Sequence, residues 1–98
     1  MNIQIYDSAK KELNKLICNN ENKKYIRIFI RTISFWSDAR IHLALDDLKD
    51  DDQLFVVDGY NIIINKRLAS QMNNIYISFG GLLNPNEFSV DCDFNEYY

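Results

Sequence analysis

Hydrophobic positions along the chain change period several times, and each change marks an element. Ile3 and Ile5 alternate with polar neighbours over residues 2–6, which predicts a short strand. Ala9, Leu13, Leu16 and Ile17 then recur at helical spacing, with Lys10, Lys11, Glu12 and Lys15 on the wet side. Asp7 or Ser8 offers a side-chain oxygen to cap this helix. Asn19 and Asn20 should end it, because asparagine tolerates the left-handed conformation a C-terminus often needs.

After a polar turn over residues 21–24 the period becomes that of a strand. Ile26, Ile28 and Ile30 form an inward set, against Arg27, Phe29 and Arg31. Residues 40–46 repeat the pattern, with Ile41, Leu43 and Leu45 inward and Arg40, His42 and Asp46 outward. Between these strands, Phe35 and Trp36 are adjacent and cannot both enter one core from regular extended chain. Either both cover the end of the core at a bend, or they form a contact surface. The acidic run Asp46, Asp47, Asp50, Asp51 and Asp52 lacks the glycine and terminal glutamate of a calcium loop, and reads as a solvated turn beside a sheet edge.

Residues 54–64 carry the clearest local signal. Two β-rich runs are joined by Asp58-Gly59, the pair suited to a two-residue type I′ turn. Asn65 can cap a short helix running to about Asn73, with Leu68 and Met72 inward. Ile75, Ile77 and Phe79 mark another strand, Gly80-Gly81 and Asn84-Pro85-Asn86 break the chain, and Phe88, Val90 and Cys92 mark the last strand. Residues 95–98 form a polar and aromatic tail.

The length of 98 residues fits a single domain spanning 1–98, and 47% hydrophobic content fits a folded chain. The expected class is α+β, mostly β. A net charge of −3 provides no basic footprint for nucleic acid, and no apolar run reaches the roughly 18 residues of a membrane span. Residues 1–11 lack the pattern of a secretion signal, so the two cysteines, Cys18 and Cys92, are expected as free thiols in a reducing cytoplasm. Cys18, beside the helix's apolar face, is expected as a half-buried structural thiol. His42 has no second histidine to share a metal, and it is expected as a solvated strand residue. With no nucleophile–base set and no phosphate loop, no catalytic residue is assigned and the protein is expected not to be an enzyme.

The order of elements, the stretch Leu43-Ala44-Leu45-Asp46, the run Asp50-Asp51-Asp52 and the Asp58-Gly59 hairpin resemble the HesB-like family, the A-type iron–sulfur carriers, over roughly residues 2–92. The resemblance implies a compact β-sandwich or distorted barrel, an N-terminal helix packed on it and a short second helix. It implies carriage of iron or an iron–sulfur cluster, frequent oligomerisation, and iron–sulfur assembly proteins as partners. The family keeps a cysteine in the loop where this chain has Phe35 or Trp36, and a Cys-x-Cys pair near the C-terminus where this chain has only Cys92. Iron–sulfur clusters are usually held by several thiolates, so no cofactor is expected on the isolated chain. Cys92 is a metal ligand only if subunits share it. Two readings follow: a carrier with a reduced or intersubunit ligand set including Cys92, His42 or acidic residues, and an interaction domain with Phe35 and Trp36 on its surface.

Overall fold

The computed structural model describes residues 1–20, 22–31, 40–80 and 85–94. Strand β1 (Asn2–Ile5) leads into helix α1 (Asp7–Cys18), followed by β2 (Tyr25–Arg31), β3 (Arg40–Asp46), β4 (Asp52–Val57), β5 (Tyr60–Asn65), α2 (Lys66–Ala69), β6 (Met72–Phe79) and β7 (Phe88–Phe94). One sheet has the order β1-β6-β7 and the other β3-β2-β5-β4. The sheets share a core and do not close into a barrel, so the sandwich form of the expected fold is the one present. No helix among the described residues is long and apolar enough to cross a membrane.

Each sheet combines local and distant pairing. β1 runs parallel to β6, and β2 runs parallel to β5 through Ile26–Ile28 against Ile62–Ile64. The Asp58-Gly59 turn has φ of 53° and 87°, the positive values a type I′ turn needs, and it sets β4 against β5 in antiparallel register. Ile62, Ile63 and Ile64 are all fully buried because β5 lies inside its sheet and both of its faces are covered.

Ala9 and Leu13 from α1 meet Ile26, Ile28, Ile62, Ile64, Ile75 and Ile77 in the core. Leu16 stays half-buried and Ile17 packs at the core margin. The cap of α1 falls one residue earlier than expected. Tyr6 occupies it with no side-chain cap bond, having no short polar side chain to supply one, and its N–H donates to Ile77 O beyond the β1–β6 pairing. The Ser8 hydroxyl instead accepts from Phe79 N at 3.2 Å. At the other end Asn19 is right-handed, and Asn20 Nδ2 donates to Leu16 O at 3.0 Å.

Four further expectations are corrected. α2 ends at Ala69 rather than near Asn73, because Met72 belongs to β6 and is buried there as a strand residue. Asn65 does cap α2, accepting from Arg67 N. Ile30 is 37% exposed, since β2 outruns its pairing with β5 and its last residues overhang the core. Cys18 is exposed rather than half-buried, as the last turn of α1 leaves the core margin. The acidic run is not a wholly solvated turn, because Asp52 opens β4 and is buried.

Candidate functional site

β3 and β4 are the two edge strands of their sheet, so the segment joining them has to cross it. Arg27, on the face of β2 turned away from the core, anchors that crossing. Its Nε donates to Asp46 Oδ2 at 2.6 Å, and its Nη1 and Nη2 donate to the two oxygens of Asp52 at 2.6 Å each. Nη2 also reaches Asp47 O at 3.1 Å, while Lys49 N donates to Asp52 Oδ2 at 2.8 Å. The Arg27 side chain is 14% exposed and that of Asp52 is 1% exposed, so this is a largely desolvated, bidentate ion pair. The Arg27 guanidinium holds the Asp52 carboxyl below the usual range. The Asp47 N–H, followed by Arg27, does the same for Asp46. Asp51 continues the strap: its carbonyl accepts from Lys66 N at 2.8 Å and its carboxylate from Asn65 Nδ2 at 2.9 Å. A cleft of about 470 Å³ opens beside the strap, with Phe29 and Ala44 among its lining.

All three nitrogens of this guanidinium are therefore engaged within the chain, through four of its five N–H donors. The arrangement clamps β2, β3 and β4 together. A sequence signal for it exists: an arginine set among isoleucines in a strand, with a dense aspartate run downstream. The strand period places Arg27 outward but does not tell that the chain folds back over that face.

The second cleft, about 380 Å³, lies between the edge strands β3 and β7 and is lined by Arg40, Ile41 and His42 on one side and residues 87–92 on the other. It brings together two residues singled out in the sequence, His42 and Cys92. His42 is half-buried rather than solvated, because its ring stacks on Phe29 with centroids 5.7 Å apart and planes at 25°. Its Nε2 is buried with no hydrogen-bond partner among the described residues. Cys92 packs against the core margin, and its thiol donates to Asp93 O at 3.2 Å. Burial, with Asp93 adding to it, pushes that thiol above its ordinary pKa. Phe35 and Trp36 lie outside the described residues.

The donor set for a cluster is thin. All of the chain's cysteines and its histidine are described, with Cys18 exposed at the end of α1 and Cys92 in β7. Among the described residues no group of three or more His, Cys, Asp and Glu side chains could hold a metal ion. Iron–sulfur clusters are usually held by several thiolates, and one cysteine, Cys92, lines a cleft among the described residues. The described residues of one chain thus offer two cysteines on different elements, fewer than the several thiolates that usually hold such a cluster.

No protein-family model matches the sequence, and neither does any curated protein. Solved structures do match the fold. The crystal structure of Escherichia coli SufA, involved in biosynthesis of iron–sulfur clusters, aligns with a TM-score of 0.73 at 13% identity, over 94% of this chain and 86% of that one. IscA with the [2Fe-2S] cluster aligns with a TM-score of 0.67 at 22% identity, over 92% of this chain and 84% of that one. The chain thus has the HesB-like fold of these iron–sulfur proteins.

Proposed function

We propose that this chain is a non-enzymatic interaction domain of iron–sulfur cluster assembly, which has kept the carrier fold and does not hold a cluster by itself. The single observation that carries this reading is the placement of its two sulfur donors: a half-buried Cys92 in β7 and an exposed Cys18 at the end of α1. The fold shared with SufA and IscA supports the link to cluster assembly, and assembly proteins are the partners we assign. The contact residues are Phe35 and Trp36, in the segment between β2 and β3, together with His42. Free thiols fit a cytoplasmic setting.

Anaerobic reconstitution with iron and sulfide, followed by desalting, tests the reading. The protein should emerge colourless and without bound iron or sulfide. Retained iron and sulfide, with a visible absorbance that disappears in Cys92→Ser, would establish the opposite: a cluster shared between subunits through Cys92.

A further inference from the structure

We infer that Arg31 and Arg40 form a binding site for a phosphate-monoester group, a compact dianion held between two guanidinium forks. Arg31 ends β2 and Arg40 opens β3, and the β2–β3 register sets them directly opposite each other. Residues directly opposite share a face of the sheet, with Cβ atoms about 5 Å apart. That face is the one turned away from the core, because Ile41, beside Arg40, packs on the core margin from the other. Both arginines are exposed.

Like charges directly opposite are destabilising. Among the described strand registers, this is the one pair that sets two charged residues against each other. Other cations of the chain are neutralised: Arg27 by Asp46 and Asp52, and Lys10, Lys15 and Lys49 by carboxylates at 3.2, 3.4 and 3.9 Å. Neither Arg31 nor Arg40 has such a partner among the described residues. Glu87 and Asp91 line the cleft beside Arg40 but do not come within ion-pair distance of it. Two positive charges therefore stand side by side with their forks unoccupied by the described chain.

The chemistry of the pair selects the ligand. A guanidinium fork matches the oxygens of carboxylate or phosphate two at a time. One fork suffices for a carboxylate, as Arg27 shows with Asp52. Two forks call for more oxygens and a second charge, and a phosphate monoester supplies three oxygens and about −1.5 to −2 at pH 7. An extended polyanion does not fit, because Glu87 and Asp91 border the pair on the β7 side and the chain's net charge is −3. The stacked Phe29–His42 pair comes next on the same face, so the arginines stand beside an ordered aromatic wall. Two sources carry this group, a phosphorylated protein side chain and a small phosphorylated metabolite, and the site reads the phosphate they share.

The site is independent of the reading on cluster chemistry, and calorimetric titration of the full, metal-free chain tests it. The probes are O-phosphoserine and a short peptide containing phosphoserine. At least one should bind saturably with a dissociation constant below about 1 mM. Arg31→Gln and Arg40→Gln should each raise that constant at least about tenfold, the scale of a lost hydrogen bond to a charged group. Arg40→Lys keeps the charge and loses the fork, so it should fall between wild type and Arg40→Gln. Lys66→Gln, at an exposed cation on α2, should leave the constant unchanged. Both arginines are exposed, so far-UV circular dichroism and the thermal midpoint of their variants should stay those of wild type. Tighter binding of the peptide supports the site with a protein side chain as the source, and equal or tighter binding of O-phosphoserine supports it with a small metabolite. No saturable binding of either probe at about 10 mM, ten times that limit, would overturn the inference. Constants indifferent to both glutamine variants, or equal affinity for the peptide with glutamate in place of phosphoserine, would overturn it equally.

Discussion

Asp52→Ala is the sharpest test of how the sheet is held together. The substitution removes a carboxylate that is 1% exposed and accepts from Arg27 Nη1, Arg27 Nη2 and Lys49 N. Breaking one partner of a buried pair generally costs about 3–5 kcal/mol, most of it the stranded charge left behind. Arg27 retains Asp46 and Asp47 O and is 14% exposed, which places the expected loss at about 3 kcal/mol, the lower end of that range. With a urea slope of about 1.5 kcal/mol per molar, the unfolding midpoint should fall by about 2 M. Asp50→Ala, at an exposed neighbour, should stay within about 0.5 kcal/mol of wild type.

The same pair predicts a pH signature. The folded pKa of Asp52 lies below its unfolded value, so its contribution is fully present above about pH 4 and is lost as pH falls through the lower folded value. Wild-type stability should therefore drop through that acid window, and the Asp52→Ala profile should be flatter there. A loss below about 1 kcal/mol, the scale of an exposed pair, together with parallel pH profiles, would refute the view that Arg27 and Asp52 clamp the crossing segment.

Three further outcomes are expected. Leu13→Ala, at a fully buried position of α1, should cost about 2–5 kcal/mol in urea unfolding through the cavity it leaves. Gly59→Ala meets no atom within 4 Å of the added Cβ, so its cost of about 1–2 kcal/mol should come from the φ of +87° alone, measured as a lowered thermal midpoint. At pH 7 the exposed Cys18 should react with a thiol reagent at least about tenfold faster than the half-buried Cys92, whose thiol burial pushes above its ordinary pKa, as read in the Cys92→Ser and Cys18→Ser variants.

Much of the fold was legible in residue order because it rests on local periodicity. Alternating isoleucines in β2 and β6, the helical spacing of Ala9 and Leu13, and Asp58-Gly59 each specify a conformation within a few residues. The element order they build was enough to mark the HesB-like resemblance. Tertiary structure decided what local pattern cannot carry. Whether Met72 continues α2 or opens β6 depends on β7 and β1 lying on either side of that strand. The burial of Asp52 depends on the chain crossing over Arg27, twenty-five residues earlier. His42 was outward by alternation in any case, yet only packing stacked it on Phe29 and set it with Cys92 along one cleft. A strand's period tells which face a side chain takes, but the neighbour across that face comes from distant sequence, and with it come burial, charge state and the chemistry available.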